Sequence, residues 1–194
     1  MTLRSRWIRV AAGLLVGSLA LTACGDDDDD GAAGDDTTTT AAGGDDAAAT
    51  VEVTLIDYGF QGLPASIEAG TQLTVRNDSE AEMHELVAVL LPDDEERSVS
   101  ELLSLPEEEI GALLGGGEPA AVLLATPGSD ETIPAVGDGT LTEPGRYLIA
   151  CFIPQGADPD EFMAAAAESE GGPPEVEGGP PHFVLGMQAE LRVE

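Results

Sequence analysis

Short apolar runs separated by turn residues cover most of the chain after residue 50. In VEVTLIDYGF, Val51, Val53 and Leu55 alternate with Glu52 and Thr54, a period of two that predicts a β-strand. LPASIEAGTQLTVRND predicts two short strands around the turn EAG, and HELVAVLL predicts a central strand. Further strands are predicted in AAVLLA, RYLIACFI and HFVLGMQAELRVE, and RYLIACFI is apolar enough to be buried on both faces. Together they predict one mainly-β domain, a sandwich over residues 51–194.

Two stretches break the strand pattern. In residues 98–114, Ser98 with Glu101 and Ser104 with Glu107 each match the S-x-x-E capping box, which predicts one or two short helices. In residues 155–180, DPDEFMAAAAESE predicts a helix of about three turns because alanine has the highest helix propensity. The second stretch contains few large apolar residues. We therefore expect it to be an excursion outside the sandwich.

Residues 1–23 have the order of a secretory signal peptide. Three arginines in MTLRSRWIRV precede the apolar run AAGLLVGSLALTA, which is shorter than the about 20 residues that a transmembrane helix needs. The run ends in LTAC, which resembles the lipobox of bacterial lipoproteins. That resemblance implies that Cys24 is acylated and becomes the mature N-terminus, which would anchor the protein at the extracytoplasmic face of the cell membrane. The alternative is an ordinary signal peptide with an unrelated cysteine.

Residues 24–50 form an acidic segment of low complexity. After Cys24 this segment has no aromatic and no large aliphatic residue, so it cannot bury enough apolar surface to fold. Repulsion among its aspartates should extend it. We interpret it as a disordered tether between the lipid surface and the domain.

Charge excludes one class of partner. The formal net charge is −31, the chain has no lysine, and only four arginines follow the signal peptide. Nucleic acid is therefore excluded as a partner, because phosphate binding needs basic patches. A cationic partner is compatible with this charge, and so is a role in solubility alone.

Four residues remain as candidates for chemistry: His84, Cys151, His182 and Met187. The sequence has two histidines, no G-x-S-x-G and no phosphate-binding glycine loop. Each of the four alone is typical of a structural role, and a buried cysteine usually behaves as a small hydrophobe. Together they provide two imidazoles, a thiolate and a thioether, which is the donor set of a blue copper electron-transfer site. Zinc on the cysteine, the histidines and a carboxylate is the alternative.

The spacing around these residues is similar to that of a known family. PGRYLIACFIP followed by PHFVLGMQAELRV resembles the end of a cupredoxin, the family of plastocyanin and azurin, and MHELVAV resembles its first-histidine strand. The resemblance implies a Greek-key β-sandwich with short helical insertions and a single type 1 copper ion on His84, Cys151, His182 and Met187. Two features depart from the family: a long gap, from Phe152 to Pro181, before the second histidine, and Glu85 where relatives place asparagine.

With the lipobox, the cupredoxin resemblance implies a lipid-anchored, extracytoplasmic electron carrier. An enzyme of the multicopper oxidase or nitrite reductase type is not expected, because no further histidines remain for a second copper site. We expect a monomer that exchanges electrons with a partner protein, one with a basic docking face, and that meets the membrane only through its lipid. Two alternatives stay open at this point. One is a copper-free binding module with the same fold, and the other is a protein for copper storage or delivery.

The lipid anchor has a direct test. Replacing Cys24 with alanine removes the acylation site, so the protein should move from the membrane fraction to the aqueous phase or the medium. Fractionation of cells that express the variant and the parent protein measures this. Unchanged membrane retention would contradict the anchor.

Overall fold

The computed structural model of the chain describes residues 48–114, 118–169 and 174–194. The signal peptide, Cys24 and the acidic segment up to residue 47 lie outside the described residues. Within the described ranges, no helix has the length and apolar character needed to span a membrane.

One sheet has four strands in the order β2-β1-β4-β8. Their bounds are β1 Thr50–Ile56, β2 Gly59–Gln61, β4 Thr71–Asn77 and β8 Thr140–Leu141. Strand β1 pairs in parallel with β4, and the other pairs are antiparallel. Alternate residues of β4 are buried, from Thr71 through Leu73 and Val75 to Asn77, as expected for a strand with one face on the core.

The second sheet has six strands in the order β3-β10-β9-β5-β6-β7. Their bounds are β3 Ser66–Ile67, β5 His84–Leu90, β6 Ala121–Ala125, β7 Ile133–Val136, β9 Gly145–Ala150 and β10 Gln188–Val193. Strand β9 lies between β10 and β5, and both pairs are antiparallel. The strand predicted in HELVAVLL therefore lies inside the sheet, as expected.

The inner faces of the two sheets share one apolar core. It joins Val53 and Leu55 of the first sheet to Leu86, Leu123 and Ile149 of the second. The predicted mainly-β sandwich is therefore confirmed, with few helices.

A second apolar cluster covers the outer face of the six-stranded sheet. Leu148 and Ala150 of β9 pack there against the segment of helices α1 (Val99–Leu102) and α2 (Glu107–Leu114). Because Tyr147 and Ile149 face the inner core, β9 is buried on both faces, as its sequence predicts. Helix α1 begins with the predicted capping box between Ser98 and Glu101. The Ser104 hydroxyl instead donates to the Ser100 carbonyl at 2.6 Å, and α2 starts later than a Ser104 cap would place it.

Helix α3 (Pro159–Glu168) confirms the helix predicted after Cys151 but corrects its expected position outside the sandwich. Asp158 caps it by accepting from the backbone N–H groups of Asp160 and Glu161, with Pro159 in the first turn. Ala157 and Phe162 are buried in the main core, and Met163, Ala166 and Val176 pack against it. The few large apolar side chains of this stretch pack on the core, so the helix covers it.

Two strands differ from the sequence prediction. VEVTLIDYGF forms a hairpin instead of one strand, because Asp57 and Tyr58 make a two-residue turn between β1 and β2. Strand β7 was not predicted, since Pro134 weakens the pattern; β7 lies at the sheet edge, where a proline is tolerated.

Helix α3 should contribute measurably to stability. Phe162 is 3% exposed, and Phe162→Ala should lower the free energy of unfolding by about 3 kcal/mol, because it leaves a cavity in the core. Chemical denaturation measures this. Glu168→Ala, on the exposed side of the same helix, is the matched control and should change stability by less than about 0.5 kcal/mol. Equal, small effects of the two substitutions would mean that α3 is dispensable for the fold.

Candidate metal centre

The ends of two neighbouring strands bring the first two candidates together. His84 is the first residue of β5, and Cys151 directly follows the last residue of β9. Because β5 and β9 are antiparallel, the start of one and the end of the other lie at the same end of the sheet.

A backbone ladder brings His182 to the same place despite the long gap. The His182 N–H donates to the Ile153 carbonyl at 3.0 Å, and the Phe183 N–H donates to the Cys151 carbonyl at 2.9 Å. Pro154 and Pro181 form an isolated antiparallel bridge, followed by a hydrogen bond from the Gln155 N–H to the Pro180 carbonyl at 3.1 Å. We call this paired segment, residues 151–155 with 179–183, the neck. These pairings join Cys151 and His182 directly, so the distance between the two residues does not depend on the length of the segment between the two halves of the neck.

Three donor atoms converge at this end of the sandwich. The Nδ1 atoms of His84 and His182 are 3.0 Å apart, and the Cys151 Sγ lies 3.4 Å from the His182 Nδ1. All three donors lie within 4.8 Å of one another, and the three residues are 0% exposed. Donors bound to one ion at about 2.0–2.3 Å are about 3.5 Å apart in a trigonal arrangement. The spacing therefore fits a single small metal ion.

The far nitrogens of both imidazoles face carboxylates. The Nε2 of His84 is 3.5 Å from Asp57 Oδ1, and the Nε2 of His182 is 3.4 Å from Glu82 Oε2. Both Nε2 atoms are buried, yet neither contact has the geometry of a full hydrogen bond. As a direct hydrogen bond, the Nδ1–Nδ1 contact would need one neutral ring to carry its proton on Nδ1, and the Nε2 of that ring would then present a lone pair to a carboxylate. A metal held by both Nδ1 atoms would leave a proton on each Nε2 atom, and each could then donate to its carboxylate.

Backbone hydrogen bonds hold Met187 next to Cys151 and His182. The Cys151 N–H donates to the Met187 carbonyl at 3.2 Å, and the Met187 N–H donates to the His182 carbonyl at 3.1 Å. The Met187 side chain is fully buried in the core cluster that contains Cys151. Gly186, with a φ of 115°, permits the turn between the 3₁₀-helix His182–Leu185 and Met187.

Burial keeps the donors uncharged when no metal is present. It lowers the pKa of His84 to about 4, with a further decrease from neighbouring His182 and an opposing effect of Asp57. Burial also lowers the pKa of His182, against the opposing charge of Glu82. The pKa of the Cys151 thiol is raised by burial and by the charge of Glu85. Neutral imidazoles are ready to bind a metal, whereas the thiol must release its proton as the metal binds.

Glu85 braces the two strand ends. Its backbone N–H donates to the Cys151 Sγ at 3.4 Å, and its side-chain Oε1 accepts from the Phe152 N–H at 2.9 Å. Burial raises the pKa of this carboxyl group to about 7, and the Phe152 N–H opposes the shift. Glu85, which stands where the family has asparagine, therefore links the two strand ends in this chain.

Sequence reasoning missed several residues that surround the donors. Asp57, Glu82, Tyr58 and Gln155 reach the site from turns and loops, where no periodic pattern marks them. Asn77 was also missed: its Nδ2 donates to the Glu82 and Ala125 carbonyls at 2.9 and 3.1 Å, which fixes the loop before His84. One signal was available, because Asn77 is polar and yet falls on the buried face of β4 in the period of two.

The buried Glu85 carboxyl group should make the stability of the metal-free protein depend on pH. Its folded pKa of about 7 exceeds the ordinary value of 4.5, so the folded state favours the protonated form. That stabilisation is complete below the ordinary pKa and is lost as the pH rises through the folded pKa, at up to about 1.4 kcal/mol per pH unit. Glu85→Gln keeps an acceptor for Phe152 and cannot ionise, so it should gain stability relative to the parent as the pH rises across this window. Chemical denaturation at several pH values measures the difference, with Glu118→Gln, an exposed glutamate, as the control. A difference between parent and Glu85→Gln that does not change with pH would contradict the raised pKa.

Comparison with known proteins gives only remote matches. No protein-family model and no curated protein matches the sequence. Among solved structures, the chain is similar to dithionite-reduced auracyanin from the photosynthetic bacterium Roseiflexus castenholzii, with a TM-score of 0.42 and 20% identity over 76% of this chain and 98% of that one. It is also similar to auracyanin A, described as a "blue" copper protein from Chloroflexus aurantiacus, with a TM-score of 0.38 and 19% identity over 75% of this chain and 98% of that one. Auracyanin B has a TM-score of 0.33 and 18% identity over 76% of this chain and 89% of that one. Likeness at this level carries no argument about ligands or function.

Proposed function

We propose that the chain is an electron carrier with one type 1 copper ion, held by His84, Cys151 and His182 with Met187 as a weak axial ligand. The observation that carries the proposal is the convergence of one sulfur and two imidazole nitrogens within 4.8 Å in a fully buried site. Soft sulfur and borderline imidazole together suit copper in both oxidation states. Bound copper would supply the one-electron couple.

The donor set favours copper over zinc. A structural zinc site is usually tetrahedral, with four nitrogen, sulfur or oxygen donors. In the described parts of the chain, the cluster of histidine, cysteine and acidic donors contains three members. The Glu85 carboxyl group, the nearest acid along the chain to His84, is occupied by the Phe152 N–H. A thioether such as that of Met187 is a weak, soft fourth donor, which suits copper and not zinc.

The surroundings of the donors favour electron transfer over catalysis or metal delivery. Strand ends, the neck and Glu85 fix the three donors before a metal arrives, so little needs to move when the charge changes. The N–H of Glu85 donates to the sulfur and so tunes the electron density on it. All the donors are shielded from solvent, which leaves no open position for a substrate and hinders release of the metal to another protein.

The surface beside the site suits a protein partner. Val184 and Leu185 are 59% and 38% exposed on the turn between His182 and Met187. Exposed apolar residues beside a functional site favour an interaction surface, and the strongly acidic chain would attract a basic partner. Electron exchange with a basic partner should therefore slow as ionic strength rises, and a rate independent of salt would contradict this part of the proposal.

The proposed location is the extracytoplasmic face of the cell membrane. The support is the signal peptide and the LTAC sequence that ends in Cys24, followed by an acidic segment long enough to hold the domain away from the lipid. The carrier would then act as a monomer on its tether.

Copper binding and colour test the proposed function. Copper(II) added to the metal-free protein should give an intense thiolate-to-copper band in the visible spectrum, and Cys151→Ser should abolish it. His84→Ala and His182→Ala should each weaken binding, because water replaces a ligand. Met187→Leu should keep the colour and shift the reduction potential, since the axial bond is weak.

A matched control separates the axial ligand from general packing. Met83 is a buried methionine next to His84, and Met83→Leu should leave both colour and potential unchanged. Copper binding without colour would favour storage or delivery, and no binding at all would leave a binding module.

A further inference from the structure

The turn between β1 and β2 has a strained backbone at the metal centre. Ile56 pairs with Gly59, so Asp57 and Tyr58 form the two-residue turn. Tyr58 has a φ of 61° and is the one non-glycine residue with a positive φ in the described parts of the chain. A bulky residue in this conformation is unfavourable and persists only where the surroundings hold it there.

Tyr58 contacts His182 through its ring and Gln155 of the neck through its hydroxyl. The ring meets the His182 ring edge to face, with centroids 5.2 Å apart and planes at 67°. The hydroxyl accepts a hydrogen bond from the Gln155 Nε2 at 2.7 Å. The Tyr58 carbonyl faces Gly186: a Cβ added at that glycine would lie at ordinary van der Waals distance, 3.7 Å from the carbonyl oxygen.

The same turn also reaches the first imidazole. The Asp57 Oδ1 lies 3.5 Å from the Nε2 of His84. One two-residue turn therefore lies against both rings, and both rings are 0% exposed, while Tyr58 itself is only partly buried. The outer side of the turn faces solvent, and its inner side faces the imidazoles.

The neck holds the turn in place. Gln155, which anchors the Tyr58 hydroxyl, is fixed by two backbone hydrogen bonds across the neck: its N–H donates to the Pro180 carbonyl, and its carbonyl accepts from the Gly179 N–H at 2.8 Å. A packing role alone would not require a strained tyrosine whose ring and hydroxyl both contact the site.

We propose that Asp57 and Tyr58 form a closed cap over the two imidazoles, anchored by Gln155, that keeps water and small reagents away from the ring edges. Tyr58 is the covering residue, and Asp57 is a positioning residue for His84. The part of this inference that concerns redox selectivity rests on the proposed function: the cap excludes small redox reagents and leaves the apolar Val184 and Leu185 surface for a protein partner. The exclusion of reagents from the imidazoles does not require copper.

Histidine modification tests the cap without a metal. The chain has two histidines and no lysine, so diethyl pyrocarbonate reports mainly on His84 and His182. The untagged, metal-free, full-length protein is treated with the reagent, the reaction is followed by ultraviolet absorbance, and the modified histidine is assigned by mass spectrometry. Tyr58→Gly removes the ring and also relieves the strained φ, and Tyr58→Asn removes the ring with a residue that tolerates this conformation. We expect His182 to react severalfold faster in both variants than in the parent.

Further variants test the hydrogen bond between Tyr58 and Gln155 and provide a control. Tyr58→Phe and Gln155→Ala break the same hydrogen bond and keep an aromatic ring, so both should give an intermediate rate. Tyr147→Phe removes the hydroxyl of a tyrosine at the opposite end of β9, and it should leave the rate at the parent value. Parent-like rates in both Tyr58→Gly and Tyr58→Asn would overturn the cap. Equal acceleration by Tyr147→Phe would also overturn it, because the reaction would then report general loosening.

The copper-loaded protein tests redox selectivity separately. The reduced, copper(I) protein gives one electron to a small cationic cobalt(III) complex, which becomes cobalt(II), and this oxidation should be severalfold faster in Tyr58→Gly than in the parent. The visible band of the copper(II) form should be the same in both proteins. A rate that is equal or lower would overturn the shielding of the redox site, since the ring would then not be the barrier. Failure of the parent protein to bind copper would refute the proposed function alone, because the histidine modification would still decide whether the cap exists.

Discussion

The antiparallel pairing of β5 with β9 is the constraint on which the rest of the site depends. It places the beginning of one strand beside the end of the other, and these are the positions of His84 and Cys151. Ladder hydrogen bonds fix this register, and the apolar cores on both faces of β9 hold it in place. A register shift of one residue would turn Cys151 away from the inner core, because side chains alternate between the faces of a sheet.

Around this pair, the structure must satisfy many polar groups in an apolar interior. Buried polar groups cost free energy unless they form hydrogen bonds, and most buried polar groups around the site form them. Asn77 fixes the loop before His84, and Glu85 joins the two strand ends. Among the described residues, the Nε2 atoms of the two histidines are two of the exceptions: they face carboxylates in poor geometry. A metal held by the Nδ1 atoms would leave a proton on each Nε2 atom, which could then donate a hydrogen bond to its carboxylate.

The sequence was informative wherever an apolar pattern determines the local structure. Alternating and continuous apolar runs predicted the main strands, and the positions of His84 and Cys151 at strand ends followed from these strands. The capping box at Ser98 and the helix after Asp158 were also predictable, because local hydrogen bonds determine both. The hairpin at Asp57 was not predictable, since a tyrosine with positive φ contradicts local preference and is held by tertiary contacts. For the same reason the carboxylates at the imidazoles and the inward packing of α3 could not be predicted from local patterns.

The neck has a consequence for how this region of the chain can vary. Its backbone ladder joins Cys151 and His182 before the chain departs into α3, so the number of residues beyond Gln155 does not set the ligand distance. Loop-closure entropy grows only slowly with length, by about 0.6 kcal/mol per doubling, so longer excursions are tolerated. The loop beyond the neck is therefore a position at which foreign segments, such as an affinity epitope or a docking helix, could be grafted without changing the spacing of Cys151 and His182.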